Sequence, residues 1–340
     1  MDDKYIIGVD AGGDKVAYGL FDGAGAIVGC ETHPTDAGAD GPVFCDTMAA
    51  NIRALLFNHK LSFDALHGIG VGMPSYILHD EGRILMTSSI PAIRDFPMLD
   101  YLQERLPVRI ALDNDANAAA IAEHRRGAGR GSRHMVYVVV GTGLGGGIII
   151  DGRLFHGSYG WAGEIGHMLA TPGDGIMCGC ENRGCFMSYT TGKSLRERVG
   201  LKLSAGTAGA GAVNTVMADT HAGAASLLSA DTADGYSLLD AYNKGDALAA
   251  EIYEETARYL AVCLYNVYEV LNIDTYVFGG GLINLGAPLF DRVRELFGGY
   301  DHIRAPVYFK MAELKKDAGI IGAAELVSGT VGDGPNLSHR

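Results

Sequence analysis

Residues 135–150 read Met-Val-Tyr-Val-Val-Val-Gly-Thr-Gly-Leu-Gly-Gly-Gly-Ile-Ile-Ile. Two apolar runs of strand length flank a glycine-rich turn at 141–147, which predicts a strand, a turn and a second strand. The same order occurs near the start of the chain, where residues 5–10 and 17–21 flank a turn containing Gly12 and Gly13. We interpret the repetition as a weak internal duplication in an α/β protein, with one glycine hairpin in each half.

These glycine turns differ from Rossmann and Walker loops, which both open a helix. Backbone N–H groups can surround phosphate oxygens only where no Cβ atom blocks the approach. One such turn alone is usually a tight hairpin, but a third, Gly279-Gly280-Gly281, follows a late strand. Together they predict a nucleotide site, in which Thr142 adds a hydroxyl donor and Asp10 holds Mg²⁺. We therefore expect the glycine excess, 49 of 340 residues, to serve close approach of the backbone to a ligand.

Charge and hydropathy exclude several classes of protein. The chain has 27 basic and 40 acidic residues, which gives a formal net charge of −13. Nucleic acids and anionic membranes bind basic surfaces, so neither is expected as a partner. No apolar stretch approaches the length of a membrane span, and the acidic start of the chain lacks the basic region of a signal peptide. These features predict a cytoplasmic protein.

Two carboxylates are candidates for chemistry on a sugar. Asp115 follows a strand at 108–112 and opens an alanine-rich helix. An Asp at a helix start is usually a cap. However, Asn114 beside it and the two glycine hairpins favour a base that accepts the proton of an attacking hydroxyl. Glu164 lies in a loop and has the acceptor oxygens that sugar hydroxyls bind, although an isolated loop Glu is usually only solvated.

Three cysteines, Cys178, Cys180 and Cys185, lie within a short stretch, and His167 precedes them. Three thiolates and one imidazole form a known structural zinc set, four-coordinate and closed. The spacing is not the commonest one for zinc fingers, and free thiols are the alternative. Such an ion would stabilise the loop behind Glu164 and would take no part in catalysis. The remaining cysteines are expected to be buried small hydrophobes: Cys30, Cys45 and Cys263.

Together these residues resemble the ROK family of sugar kinases, within the actin-like ATPase superfamily. The resemblance covers about 5–327 and is most specific from Ala162-Gly163-Glu164-Ile165-Gly166-His167 to the cysteines. Asn114-Asp115-Ala116-Asn117 and the glycines at 141–147 match the other signatures of the family. The resemblance implies two actin-like (ribonuclease H-like) α/β domains flanking a nucleotide and sugar cleft. The smaller would comprise 1–113 and 312–328, and the larger 114–311 with the zinc loop, before a tail at 329–340.

The resemblance also implies roles for single residues. Asp115 would be the catalytic base, and Asn114, Glu164 and His167 would contact the sugar, while His167 would also ligate zinc. The residues implied in ATP binding are Asp10, Gly12, Gly13, Thr142 and Gly143 at the phosphates and Gly280 and Gly281 at the adenosine. The implied reaction transfers the γ-phosphate of ATP to a hexose hydroxyl, most often O6, with Mg²⁺ and a structural Zn²⁺. Glucose-like, N-acetylhexosamine and allose-like substrates stay open. A homodimer or homotetramer is expected.

Four positions depart from the family pattern. Asp14 replaces a Thr, Pro74-Ser75 replaces Pro-Gly, Ser89 replaces a sugar-binding Asn, and Met187 replaces a sugar-binding Glu. Because the thioether of Met is only a weak acceptor compared with a carboxylate, we expect weaker rejection of glucose analogues or a preference for an apolar substituent. These departures keep a second interpretation open, a degenerate ROK protein that senses sugar or nucleotide without turnover. A DNA-binding ROK repressor is not expected, because only four residues precede the first strand.

Overall fold

The computed structural model describes residues 4–87, 89–207, 226–281 and 285–328. The chain forms two compact units. The first unit comprises Met1–Tyr137, Gly146–Gly163 and Ala312–Arg340, and the second comprises Val138–Gly145 and Glu164–Met311. The tail at 329–340 lies outside the described residues. Residues 208–225, which form most of an alanine- and glycine-rich segment, also lie outside them.

The secondary structure alternates strands and helices along the described residues. The strands are β1 (Tyr5–Ala11), β2 (Lys15–Phe21), β3 (Ile27–Pro34), β4 (Leu66–Gly72), β5 (Tyr76–Leu78), β6 (Arg83–Met86), β7 (Arg94–Phe96), β8 (Ile110–Asp113), β9 (Met135–Val140), β10 (Leu144–Ile150), β11 (Arg153–Leu154), β12 (Thr275–Gly279) and β13 (Tyr308–Met311). The α-helices are α1 (Gly41–Asn58), α2 (Met98–Gln103), α3 (Asp115–Arg126), α4 (Met187–Thr190), α5 (Gly192–Thr207), α6 (Gly235–Asn243), α7 (Ala247–Leu271), α8 (Gly286–Tyr300) and α9 (Ala318–Val327).

A five-stranded sheet in the order β3-β2-β1-β4-β8 forms the centre of the first unit. β1 pairs antiparallel with β2, as the first glycine hairpin predicts, and parallel with β4, which in turn pairs parallel with β8. In this register Asp10 lies opposite Gly72, and Gly72 lies opposite Asp113. Asp10 and Asp113 therefore lie at the same carboxyl edge of the sheet, where ligands bind in open α/β sheets.

The sheet edge accounts for one error in the sequence analysis. Cys30 is exposed, whereas Cys45 and Cys263 are buried as expected. Cys30 belongs to β3, which has only one neighbouring strand, and the residues of β3 alternate between exposed and half-buried positions. An edge strand of this kind buries little side-chain area on either face.

The second glycine hairpin also forms, with a shorter turn than predicted. β9 ends at Val140 and β10 already begins at Leu144, so the glycines at 145–147 belong to the strand. The turn is closed by Gly141 N, which donates to Gly143 O at 2.8 Å. Gly147 has a packing role, since a Cβ there would lie 2.4 Å from Ala120 Cβ in α3.

A second five-stranded sheet has the order β11-β10-β9-β12-β13, and a small sheet has the order β5-β6-β7. In the second unit, β12 pairs parallel with β13, with Thr275 opposite Tyr308. The long helix α7 begins after Asp246, whose side chain accepts from Ala249 N, and ends at Asn272 in a left-handed conformation with φ 52°. Among the described residues, none of the helices has the length and apolarity needed to cross a membrane.

The terminal helix α9 packs directly on the first sheet. A Cβ at Gly8 of β1 would lie 2.0 Å from Ile320 O, and one at Gly70 of β4 would lie 1.7 Å from Ala323 O. On its other side, α9 approaches α3, where a Cβ at Gly322 would lie 2.0 Å from Ala118 O. By packing, α3 therefore belongs to the first unit, so these units do not follow the domain boundary expected at 113/114. The division into two domains at 113/114, which the resemblance implies, stays a prediction.

We predict that Gly70→Ala lowers the free energy of unfolding by about 3 kcal/mol or more, because the new Cβ would overlap a backbone oxygen that cannot move without shifting α9. The matched control is Gly298→Ala in α8, where an added Cβ meets no heavy atom within 4 Å. This control should change stability little or raise it by about 0.5–1 kcal/mol. Urea unfolding measures both variants, and equal stabilities would contradict the packing of α9 on β4.

Candidate functional site

The carboxyl edge of the first sheet carries the predicted residue Asp10. Burial raises the pKa of the Asp10 carboxyl, and the charge of Lys15 acts in the opposite direction. A Cβ at Gly319 would lie 2.2 Å from Asp10 Oδ2, so the carboxylate lies against the first turn of α9. A helix N-terminus favours negative charge, and a carboxylate oxygen is a ligand that Mg²⁺ accepts. Asp10 therefore fits the predicted role of a cation ligand.

The first glycine turn lies against another predicted residue, Ser89. A Cβ at Gly13 would lie 3.1 Å from Ser89 Cβ and 3.2 Å from Ser89 Oγ. Ser89 N donates to Thr87 Oγ1 at 3.2 Å, and Gly12 O accepts from Thr35 Oγ1 at 2.8 Å. The structure thus brings the predicted phosphate turn and a predicted sugar residue together within the first unit.

Asn114 and Asp115 occupy different positions at the start of α3. Asn114 is the cap: its Oδ1 accepts from Ala116 N at 2.8 Å, while its Nδ2 donates to Ser75 O at 3.2 Å. Asp115 is the first residue of the helix, and its N donates to Met73 O at 3.3 Å. The cap that a lone Asp would usually supply is therefore supplied by Asn114. The carboxylate of Asp115 is carried on a helix start that is fixed to the 73–75 loop.

The second unit contains a cluster of four possible metal ligands. The donor atoms of His167, Cys178, Cys180 and Cys185 all lie within 4.8 Å of one another. Cys180 Sγ and Cys185 Sγ are 3.6 Å apart, and Cys178 Sγ is 3.8 Å from His167 Nδ1. Zinc–sulfur bonds of ~2.3 Å in a tetrahedron separate sulfurs by about 3.8 Å. The donor set therefore has the spacing of a tetrahedral metal site.

The electrostatics of this cluster agree with a cation site. Burial and the neighbouring Cys180 and Cys178 thiols raise the pKa of Cys185 to about 12. Burial also lowers the pKa of His167, which favours the neutral imidazole that ligates metals. Burial acts to raise the pKa of Cys180, but hydrogen bonds from Asn182 and the neighbouring thiols outweigh it and lower this pKa. A divalent cation would favour the thiolate form of all three cysteines.

His167 connects this cluster with Glu164. Its Nδ1 faces Cys178, whereas its Nε2 lies 4.0 Å from Glu164 Oε2. Both residues belong to one short turn, in which His167 N donates to Glu164 O at 3.1 Å. One imidazole can therefore contact the metal cluster with one nitrogen and a polar ligand with the other.

A cavity of about 590 Å³ lies within the second unit. Two predicted nucleotide residues, Thr142 and Gly281, line it, whereas Gly143 and Gly280 do not. Gly280 has φ +84°, and a Cβ there would lie 2.5 Å from Val140 O, so its packing on β9 requires glycine. Gly143 lies beside Met187, whose Cε would be 3.7 Å from a Cβ at Gly143.

The start of α5 also lines this cavity, which the glycine motifs of the sequence do not indicate. Thr191, Gly192, Lys193 and Arg196 all line the cavity, and Gly192 N donates to Gly141 O at 2.9 Å. A helix N-terminus with adjacent basic side chains suits an anion. A detectable signal was present, since Thr191 is a cap-type residue directly before Gly192-Lys193.

Comparisons with known proteins identify the family. The model of the ROK family matches residues 6–330. This chain belongs to the ROK family. A glucokinase of Halalkalibacterium halodurans is 33% identical over 335 residues, covering 96% of this chain and 96% of that protein. An N-acetylmannosamine kinase of Yersinia pestis is 28% identical over 327 residues, covering 94% of this chain and 96% of that protein.

Solved structures of ROK proteins share the fold. A ROK hexokinase from Thermus thermophilus has a TM-score of 0.78 at 28% identity, covering 95% of this chain and 97% of that chain. A ROK glucokinase from Streptomyces griseus, solved with glucose and AMPPNP, has a TM-score of 0.72 at 29% identity, covering 95% of this chain and 98% of that chain. A ROK transcriptional regulator, at 19% identity and a TM-score of 0.79, shares the fold alone.

These comparisons confirm the predicted family, the actin-like two-domain α/β fold and the enzyme class of a sugar kinase. They do not test the role of any single site residue. The expected oligomer and the expected cytoplasmic location also stay predictions.

We predict that Asn114→Ala lowers the free energy of unfolding by about 1 kcal/mol, because the first amides of α3 lose their acceptor. Asn114→Ser is the matched control, since serine caps helices about as well as asparagine. Denaturant unfolding compares the two variants. Equal losses in both would show that the cap contributes nothing at this helix.

Proposed function

We propose that this chain is an ATP- and Mg²⁺-dependent hexose kinase that transfers the γ-phosphate of ATP to a sugar hydroxyl, at O6 in the favoured assignment. The observation that carries this proposal is the cavity of about 590 Å³ lined by Thr142, Gly281 and the start of α5. Its volume lies in the usual range for small-molecule sites, and its backbone amides and basic residues suit a nucleotide anion. The glucokinase and N-acetylmannosamine kinase relatives support the same reaction class.

Asp115 is the proposed base of this reaction. Phosphoryl transfer has a loose transition state, so positioning of the reacting groups matters more than early proton removal. Asp115 is held on the first turn of α3, where the Asn114 cap and the bond to Met73 O limit its movement. Its carboxylate would orient the sugar hydroxyl and accept the proton as the new bond to phosphorus forms.

We propose two metal ions for this reaction. Asp10 would hold Mg²⁺, which would neutralise charge on the phosphates. His167, Cys178, Cys180 and Cys185 would hold a structural zinc, because three thiolates and one imidazole close a tetrahedral site. We propose that Glu164 and His167 bind sugar hydroxyls from the loop that this zinc stabilises.

The substrate is a hexose whose identity depends on Ser89 and Met187. A serine hydroxyl reaches less far than the family's asparagine, and a methionine offers only a weak sulfur acceptor. Fewer strong hydrogen bonds to sugar hydroxyls reduce the penalty for an analogue that lacks one. We therefore propose a substrate that carries a modified or apolar group in place of one glucose hydroxyl, such as an N-acetylhexosamine.

A panel of hexoses tests the proposed function. ADP release coupled to NADH oxidation is followed with ATP, Mg²⁺ and glucose, N-acetylmannosamine, N-acetylglucosamine, mannose or allose. We expect turnover with at least one of them and a 6-phosphate product by ³¹P NMR. Calorimetry on the same panel separates the alternative, since sugar binding without turnover would replace the kinase with a degenerate ROK sensor.

We predict that Asp115→Asn lowers kcat by about 10²–10⁴-fold, because the amide cannot accept the proton. Sugar affinity should stay close to wild type, since the amide keeps the shape of the side chain. Asp64→Asn, at an exposed position of a short helix, is the matched control and should keep full activity. If kcat with Asn at position 115 stayed near wild type, Asp115 would not be the base.

We predict that freshly purified protein retains about one tightly held zinc ion per chain at the Cys/His cluster, and that Cys180→Ser loses this ion, because a closed four-ligand site tolerates no missing thiolate. The melting temperature should fall with the metal content. Cys30→Ser is the matched control, since Cys30 is exposed and outside the cluster. Elemental analysis measures the zinc, and wild-type protein without zinc would refute the site.

A further inference from the structure

A second group of metal-ligating side chains lies in the first unit, outside the residues of the proposed function. It consists of His79, Asp113 and His156, whose ligand atoms all lie within 4.8 Å of one another. Both histidines direct Nε2 at the same carboxylate oxygen: Asp113 Oδ2 is 2.7 Å from His156 and 3.8 Å from His79. The two rings are also close, with centroids 3.8 Å apart and planes tilted by 37°.

These distances fit a small divalent cation. Zinc bonds to nitrogen and oxygen ligands of ~2.0–2.2 Å place tetrahedral ligand atoms about 3.4 Å apart. The Asp113–His79 separation is already close to this value. The shorter distance between Asp113 Oδ2 and His156 Nε2 would lengthen slightly to match the same separation when an ion binds. A hydrogen bond accounts for the position of His156, whereas His79 Nε2 faces the same oxygen from beyond hydrogen-bond distance and its Nδ1 lies 3.7 Å from Asp80 Oδ1.

The carboxylate is oriented by partners behind it. Asp113 Oδ1 accepts from Asn114 N at 2.7 Å and from Asn117 Nδ2 at 2.8 Å. These bonds leave Oδ2 directed at the two histidines. Metal-binding carboxylates are typically held in this way by hydrogen bonds from outside the ligand set. The side chain of Asp113 is 5% exposed, whereas those of His156 and His79 are 20% and 39% exposed. An ion can therefore enter from the histidine side.

The chain segments that carry both histidines are packed together without help from a metal. His79 follows β5, and His156 begins a loop that returns to β5 at Trp161, whose Nε1 donates to Ile77 O at 3.1 Å. Gly160 in this loop has φ +104°, and a Cβ there would lie 2.6 Å from Ile77 O. Only glycine allows so close an approach of the loop to β5. The three ligands are thus preorganised by packing.

We propose that His79, Asp113 and His156 form a second metal site, which binds a borderline divalent cation of the zinc type. Imidazole nitrogens with one carboxylate suit such an ion, and water would complete its coordination. The ion would tie the end of β8 to the residue after β5 and to the 156–161 loop. Because Asp113 Oδ1 also holds Asn114 N, the ion would fix the residue that precedes Asn114 and Asp115. The proposed role of the ion is to position the start of α3, and the ion takes no part in the chemical step.

Zinc titration of the full chain tests the site. Metal-free protein is titrated with Zn²⁺ alone by calorimetry, and elemental analysis follows removal of excess metal. We expect about two ions per chain, a tighter one at the thiolates and a weaker one at the histidines. His79→Gln and His156→Gln should each lose the weaker ion and keep the tighter one. His134→Gln is the matched control, since its Nε2 also lies 3.8 Å from a carboxylate oxygen, that of Asp151.

Cobalt substitution assigns the two ions independently of activity. Thiolate-bound Co²⁺ has strong sulfur-to-metal charge-transfer bands, whereas Co²⁺ bound by imidazole and carboxylate lacks them. The histidine variants should lose the second cobalt without changing the thiolate bands. His79→Gln keeps the Asp113–His156 hydrogen bond, so loss of the second ion in this variant does not come from loss of that bond. Circular dichroism checks that both histidine variants fold. A single ion in wild type, a second ion that both variants keep, or equal loss in His134→Gln would overturn the proposal.

Discussion

The packing of α9 on the first sheet is the constraint on which the first unit depends. Backbone oxygens of Ile320 and Ala323 lie directly over Gly8 and Gly70, at distances that no side chain at these positions allows. The same approach brings Gly319 against the carboxylate of Asp10. A segment near the end of the chain therefore determines the surroundings of a candidate cation ligand near its start. The buried Glu325 strengthens the arrangement by accepting from Arg125 at 2.7 Å and from Arg126 Nε at 2.6 Å, both in α3.

Local sequence patterns are sufficient to predict the two hairpins. They do not predict the glycines that pack against helices, because those contacts join distant parts of the chain. The alternation of apolar runs and glycine turns predicts both hairpins, β1–β2 and β9–β10, because such turns act over a few residues, although the strand β10 begins earlier than predicted. The glycine excess was assigned to ligand approach, but Gly8, Gly70 and Gly147 serve helix packing. The helix residues that pack on these glycines are far away in sequence, so the sequence alone does not indicate these contacts.

The candidate sites differ in the same way: those formed by residues close together in sequence are predictable, and those formed by distant residues are not. The Cys/His cluster was predictable because three thiols lie close together in sequence and a histidine precedes them. The group formed by His79, Asp113 and His156 was not, since its members come from three separate segments. At α3, sequence placed the helix start correctly but did not separate the cap, Asn114, from the first helical residue, Asp115. That distinction depends on where β8 ends, which is fixed by its pairing with β4.

Met187, a proposed determinant of the substrate, lies two residues from Cys185 of the candidate zinc cluster. Two residues after this cysteine, Met187 opens α4, and Phe186 N donates to Met168 O at 3.0 Å. This backbone bond, and the metal if the cluster holds one, would fix the position of residue 187 whatever side chain it carries. We infer that exchanging the family's glutamate for methionine changes the chemistry at this position without moving it. Met187 reaches toward Gly143 in the second glycine turn, and its unbranched thioether adapts to irregular apolar shapes. This property agrees with the apolar substituent proposed above for the sugar.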